Sequence, residues 1–269
     1  MSGSAILIEA SPGEVRGALI RNGDVWDVVH HRITSPSLIG ATYRGRVRRV
    51  DPGINGAFVD IGIGADAFMR ARDASIPNER GARRARIAEM LHEGAQIDVR
   101  VVADGFAEKG PRVVRIAPDD SVTAPDIPAV LIAPLDPVSY ILARYAGDRV
   151  TAVVCSDATT ENQARDWCKA NRRELFERIT RERLGLFAEH GVEDAIEAAL
   201  ERRVAIPGGA ELVFDQTEAL CVIDINSASD IGKAGRGPRD VNSKAMPAIA
   251  RQLRLRNIAV AIVIDALKM

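Results

Sequence analysis

At 269 residues the chain is long enough to bury a sizeable core, as one large domain or a few small ones. Its 36 Lys and Arg stand against 37 Asp and Glu, and a net charge of -1 excludes any global pull toward polyanions, so such a site must come from local clustering. No apolar run reaches membrane-spanning length and the N-terminus has no basic region followed by a long apolar stretch, so a membrane role is excluded and a cytoplasmic protein expected.

From the N-terminus, "AILI" (5–8) and "EVRGALIRNGDVWDVVHHR" (14–32) alternate around Asn22-Gly23, a dipeptide suited to the positive dihedrals of a tight turn. The chain is therefore expected to open as antiparallel sheet. From about residue 40 to residue 116 short strands are broken by glycine: "ATYRGRVRRV", "GAFVDIGIGADAFM", "QIDVRVVAD" and "PRVVRIAP". This texture suits a small closed barrel. Between them, "RARDASIPNERGARRARIAEMLHEG" predicts a basic loop with a short helix.

Residues 118–137, rich in Pro and Asp, predict a seam between domains. Beyond "VSYILARYA" lie a strand "RVTAVVC" and a helix from Thr160 to about Arg183 with Trp167 and Leu175 on its apolar side. A second helix, "VEDAIEAALERR", puts Val192, Ile196, Ala199 and Leu200 at helical spacing. "AELVFD" and "EALCVIDIN" predict a strand pair, "SKAMPAIARQLRLRN" a helix interrupted by Pro247, and "IAVAIVIDALKM" a final buried strand. Strand, helix, strand in this order predicts an α/β sheet. The three cysteines, Cys155, Cys168 and Cys221, are an odd number without C-x-x-C spacing, which argues against a disulfide framework and a zinc site and for reduced thiols.

The chemistry concentrates in "CVIDINSASD" (221–230). Side chains alternate along a strand, so Asp224 and Asn226 share one face and Ile223 and Ile225 the other. If the "IVID" strand neighbours it, Asp265 converges on the same point, at the carboxyl ends of strands where α/β sheets place ligands. Two close carboxylates call for a hard, oxygen-liking cation such as Mg2+, which activates water and neutralises a phosphodiester. The alternative is that both aspartates cap loops or pair with arginines at strand ends. The loop "SASDIGKAGRGPRD" adds Lys233, Arg236 and Arg239 as candidate phosphate contacts, and Arg251, Arg254 and Arg256 on the next helix are either solvated or steer RNA. In the barrel, Phe58 and Phe68 are candidate base-stacking residues, with Tyr43, Arg44, Arg46 and Lys109 as basic and aromatic neighbours; the alternative places both phenylalanines in the core.

"YRGRVRRVDPGINGAFVDIG" with the following "AFM" resembles the S1 RNA-binding barrel of ribonuclease E/G family proteins. "VEDAIEAALERRVAIPGGAELVFDQTEALCVIDINSA" together with "IARQLRLRNIAVAIVID" is similar to that family's catalytic segment, and "RVTAVVCSDATTENQARDWC" to its RNase H-like subdomain. The fold this implies is a mixed α+β and α/β chain in several subdomains. An S1 (OB-fold) barrel at 38–118 is inserted in an RNase H-like subdomain at 1–37 and 119–190, followed at 191–269 by an incomplete DNase I-like catalytic subdomain.

The resemblance implies an endoribonuclease of RNA processing or decay that cuts single-stranded, often AU-rich RNA to 5′-phosphate and 3′-hydroxyl ends. Asp224 and Asp265 would hold one Mg2+, with Mn2+ as a substitute; Asn226 would orient them, and Phe58, Phe68 and Lys109 would grip RNA. Three departures stand out. The family's 5′-monophosphate sensor, with its Arg-Thr pair, has no recognised counterpart, so cleavage is expected to ignore 5′ phosphorylation. "ALKM", with Lys268, stands where a further acidic residue is usual. The chain also stops at Met269, before the zinc-linking cysteines and any scaffold tail. No zinc-linked tetramer or degradosome scaffold is expected, and a homodimer stays open. The alternative is a non-catalytic S1-type RNA-binding protein.

Overall fold

A computed structural model describes residues 3–76, 86–106, 109–118, 126–145, 147, 149–182, 185–206, 209–227 and 237–268. The chain divides into two compact units, one of residues 34–137 and one joining residues 1–33 to residues 138–269. Among the described residues no helix is long and apolar enough to cross a membrane.

The chain opens with β1 (Ser4–Ser11), β2 (Glu14–Arg21) and β3 (Asp24–Arg32), an antiparallel run. Asn22 (φ 51°) and Gly23 (φ 89°) make the expected turn between β2 and β3, both in the left-handed region. The barrel unit follows: β4 (Thr42–Asp51), β5 (Gly56–Asp60), β6 (Ala67–Arg70), α1 (Ile87–Met90), β7 (Gln96–Ala103), β8 (Arg112–Arg115) and β9 (Ala129–Ile132). The strand order β5-β6-β8-β7-β4, with β4 pairing back onto β5, closes a five-stranded OB-like barrel. Its interior is filled by Val47, Val59, Met69, Val99, Val101 and Val113, among others. The Pro/Asp-rich stretch predicted as a seam contributes β9, which pairs with Thr42–Arg44 on the margin of β4.

The second unit resumes with α2 (Pro137–Tyr145), β10 (Val150–Cys155), α3 (Ala158–Asn171), α4 (Arg173–Phe176), β11 (Ile179–Arg181), α5 (Leu186–Glu189) and α6 (Val192–Leu200). β1 lies parallel to β10 and β10 parallel to β11, giving the sheet order β11-β10-β1-β2-β3. Both faces are covered, Ile6 and Ile8 by residues of α2 and α3, Leu7 by Leu186, Phe187 and Val192. That is why "AILI" is an unbroken apolar run. The helix predicted from Thr160 to Arg183 ends at Asn171, and β11 occupies part of its expected span. Leu200, predicted on the apolar face of α6, is 81% exposed at the helix end.

The remaining elements are β12 (Arg203–Ala205), β13 (Glu211–Gln216), β14 (Leu220–Asn226), α7 (Pro238–Leu255) and β15 (Ala261–Asp265). They form a sheet ordered β12-β13-β14-β15, in which β14 and β15 are parallel and α7 is the crossover. Val241, Ala245 and Ile249 of α7 pack on Cys221, Ile223 and Ile225 of β14. Pro247 does not interrupt this helix as predicted, because it sits on the exposed side, where it removes one backbone donor and leaves the apolar stripe whole. A second correction concerns β15: predicted as a buried strand, it is exposed along its length, since it is the last strand of its sheet among the described residues.

Candidate functional site

The register of the parallel pair puts Asp224 directly opposite Asp265, and Cys221 and Ile223 opposite Ile262 and Ile264. Cys221, Ile223 and Ile225 of β14 pack toward α7, so the aspartates belong to the other face of the sheet. Asn226 shares that face and donates from Nδ2 to Asp224 Oδ2 at 2.9 Å. The expected convergence of Asp224, Asn226 and Asp265 is thus present. Its setting differs from the expected core strand: Asp224 is half-buried and Asn226 and Asp265 are exposed, so the carboxylates do not bear the full cost of burial.

Two supports for this face were not anticipated. Asn242, buried on α7, donates from Nδ2 to the Leu267 carbonyl at 2.9 Å and accepts from the Leu267 amide at 3.1 Å. The clamp fixes the chain just past Asp265. Antiparallel pairing sets Val213 of β13 opposite Asp224 and Glu211 opposite Asn226, with Arg203 of β12 bonded to Glu211. Among the described residues no cluster of three or more His, Cys, Asp and Glu is arranged as a metal cage. The donor set at this face is two carboxylates and an amide oxygen, all hard oxygen ligands, which fits a cation that keeps several of its waters.

Of the basic residues predicted nearby, Lys233 and Arg236 lie outside the described residues, and Arg239 is exposed in the first turn of α7. Three arginines at the C-terminal end of α7 have partners within the fold. Arg251 Nε donates to the Val25 carbonyl at 2.6 Å, Arg254 bonds Asp27, and Arg256 lies 4.2 Å from the Phe214 ring centroid while donating to the Glu201 carbonyl. All three cysteines are buried and reduced, and burial pushes the Cys155 thiol up to about 12.

In the barrel unit, Phe58 and Phe68 are cross-strand partners on β5 and β6 with ring centroids 5.5 Å apart, both half-buried. They lie on the outer side of the barrel wall, alternating with the buried Ala57, Val59, Ala67 and Met69. Arg49 stacks on Phe58 at 4.4 Å. On β8, Arg112 pairs with Phe68, and its Nε is buried without a hydrogen-bond partner among the described residues. Beyond it, Lys109 is exposed and bridged to Phe106 by two backbone bonds of 3.0 Å; the Phe106 ring is 84% exposed. Gly110 lets this loop close on β6, since a Cβ there would stand 2.0 Å from the Asp66 carbonyl oxygen.

The other barrel residues of the sequence reading are placed differently. Tyr43 is core, 3% exposed, with its phenol raised by burial. Arg44 forks onto buried Asp98, Nε to Oδ1 at 2.8 Å and Nη2 to Oδ2 at 2.9 Å. Arg46 is exposed opposite Asp60, whose carboxyl is held below the usual range by the Gly62 amide first and then by Arg48. Arg49, Phe106 and Arg112 were missed; the signal for Arg112 was its strand position beside Phe68, visible only once β6 and β8 are paired.

These features define an α+β protein in two units, an OB-like barrel bearing an outward aromatic and basic track, and a unit with a paired-carboxylate sheet face. The profile of the Ribonuclease E/G family matches residues 112–269, more than half of the chain, and the chain belongs to that family. It is 26% identical to "Ribonuclease G" of Escherichia coli (strain K12), over 98% of this chain and 71% of that protein. With "Ribonuclease G" of Haemophilus influenzae the identity is 27%, over 100% of this chain and 72% of the relative. With the "Ribonuclease E/G-like protein, chloroplastic" of Arabidopsis thaliana it is 31%, over 57% of this chain and 16% of the relative. The alignment to the Escherichia coli protein runs over 352 residues, longer than this chain of 269, so that relative carries segments unmatched here. Among solved structures, the solution structure of GSP13 from Bacillus subtilis aligns at TM-score 0.26 and 23% identity, over 34% of this chain and 68% of that one.

Proposed function

We propose that this chain is a metal-dependent endoribonuclease acting on single-stranded RNA in the cytoplasm, with Asp224 and Asp265 as metal ligands. The observation that carries the reading is the in-register pair of carboxylates on β14 and β15, with Asn226 bonded to the first of them. Family membership and the likeness, along nearly all of this chain, to proteins named Ribonuclease G support the reaction class. Strand order supports the subdomain assignment: β3-β2-β1-β10-β11, with β1, β10 and β11 parallel, suits an RNase H-like sheet, and the β14-α7-β15 crossover suits the α/β catalytic part.

A bound Mg2+ or Mn2+ would activate water and offset the phosphodiester's developing charge. The remaining work falls to the chain. Asn226 holds the Asp224 carboxylate in one rotamer through its Nδ2 bond, so both aspartates present oxygens on one side of the sheet. Asn242 keeps Asp265 in place by clamping Leu267. On the barrel, Phe58 and Phe68 stack bases, while Arg49, Lys109 and Arg112 hold phosphates and Phe106 offers a further aromatic face. Tyr43 and Arg44 have structural roles in this reading. With water as the nucleophile and the P–O3′ bond broken, the 3′ oxygen leaving and taking up a proton, the products carry 5′ phosphate and 3′ hydroxyl. Indifference to the 5′ end rests on the lack of a recognised counterpart, in the sequence, of the family's 5′-monophosphate sensor. AU-richness of the substrate rests on the family resemblance.

The test is cleavage of a single-stranded AU-rich RNA with Mg2+ against EDTA, using matched 5′-phosphate and 5′-hydroxyl substrates. Equal Mg2+-dependent rates on the two are expected. Cyclic-phosphate products would rule out the hydrolytic mechanism, and binding without cleavage would leave an RNA-binding protein.

A further inference from the structure

Asp27 of β3 is 1% exposed, yet it lines a cleft of about 390 Å3 with Arg144, Leu253, Arg254, Asn257 and Ile258, all in one unit. This volume lies in the range of small-ligand pockets. Both arginines approach the same carboxylate oxygen: Arg254 Nη2 donates to Oδ2 at 2.9 Å and Arg144 Nη2 at 3.3 Å. Among the described residues Oδ1 is buried without a hydrogen-bond partner, while the buried Tyr145 hydroxyl interacts with Arg144. Arg-carboxylate pairs frequently close as a two-bond fork, as Arg44 does on Asp98 and Arg202 on Asp215. Neither arginine does so here.

The consequence is a cationic cleft. Two guanidiniums on one carboxylate leave one positive charge over; of the five N–H donors on each, Asp27 takes one, and on Arg144 the Tyr145 hydroxyl engages another. Their side chains are 39% and 40% exposed, so the remaining donors are accessible. Arg144 comes from α2 and Arg254 from α7, and they meet from different directions. That geometry suits a tetrahedral anion with several acceptor oxygens better than a planar carboxylate. Asn257, with φ 50° just past α7, brings an amide to the rim, and Leu253 and Ile258 supply an apolar wall.

We propose that this cleft is a phosphate-binding site, with Arg144 and Arg254 as the ligand contacts and Asp27 as the buried residue that positions both. It is separate from the carboxylate pair and from the barrel track, and it stands whether or not the chain cleaves RNA.

The experiment follows the side-chain Nε–Hε resonances of Arg144 and Arg254 in the whole chain by NMR, assigned with Arg144→Gln and Arg254→Gln. Inorganic phosphate is titrated first, acetate second, and a single-stranded RNA with hydroxyl groups at both ends third. Saturable shifts with phosphate and weaker ones with acetate are expected, and Arg144→Gln is expected to lower phosphate affinity at least about tenfold. Arg173→Gln, an exposed arginine outside the cleft, is expected to leave it unchanged. Shifts with the RNA as well would identify a backbone phosphate as the source, and shifts with phosphate alone a small phosphorylated ligand. Unmoved resonances of both guanidiniums on phosphate addition, or an equal response to acetate, would overturn the proposal even if a variant failed to fold.

Discussion

Asp224 and Asp265 are register partners on adjacent parallel strands, on the face of the sheet opposite α7. With Asp265 exposed and Asp224 only partly buried, they can be altered at little cost to the fold. Asp224→Asn and Asp265→Asn should each lower Mg2+-dependent cleavage by at least about a hundredfold. Thermal unfolding should report a stability change within about 0.5 kcal/mol. A large fall in melting temperature would instead assign the pair a structural role.

Phe58 and Phe68 touch across β5 and β6, so each alanine substitution should weaken single-stranded RNA binding by about 1–3 kcal/mol. Arg112→Gln should reduce the slope of log affinity against log salt by about one. Gly56→Ala offers an indirect check, because its Cβ would lie 2.5 Å from Phe68 Cε2 and push the ring aside. Anisotropy titrations across a salt series measure all four, and full affinity in the Phe variants would return both rings to a packing role.

Asp157 caps α3, accepting from the amides of Thr159 at 2.8 Å and Thr160 at 3.0 Å. Burial acts to raise its carboxyl, but the bonds from Thr160, Ser156 and Thr159 outweigh it and hold the group below the ordinary value. A depressed folded value means stability present above the unfolded value near pH 4 and lost as pH falls through the folded one. Asp157→Ala should cost about 1 kcal/mol at pH 7 by denaturant unfolding, and the difference from wild type should shrink below about pH 4.

The thiols give a test independent of RNA. Cys155, Cys168 and Cys221 are all buried, and burial raises each thiol, Cys155 up to about 12. Native protein at pH 8 should therefore take up little iodoacetamide, and denatured protein should label at all three. Rapid native labelling at Cys155 would mean that the sheet between α3 and β1 opens readily.

Local signals that agreed with their surroundings were legible in the sequence. Asn22-Gly23 specified its turn, the β13–β14 pair followed from alternation, and Asp224 and Asn226 shared a face because period two leaves no other option. What was hidden depended on partners distant in the chain. β11 is three residues long and exists because β10 offers it a parallel edge; β9 likewise answers the margin of β4. Tyr43 and Arg44 read as a polar, aromatic surface, but Asp98, 54 residues on, receives the guanidinium and the barrel wall encloses the ring. The apolar run of β15 looked buried because apolar composition reports propensity and not which neighbours are present.

The interruption of one unit by the other has a consequence for synthesis. β1 leaves the ribosome early, but its parallel partner β10 begins at Val150, after the whole barrel of residues 34–137 has been made. The barrel's strands are near one another in sequence and can close first; the central sheet must wait, with the apolar edge of β1 unpaired, until more than a hundred further residues have been added. Nascent chains halted where residues 34–137 have cleared the ribosome and Val150–Cys155 have not should thus hold a protease-resistant barrel attached to a protease-sensitive β1–β3 run.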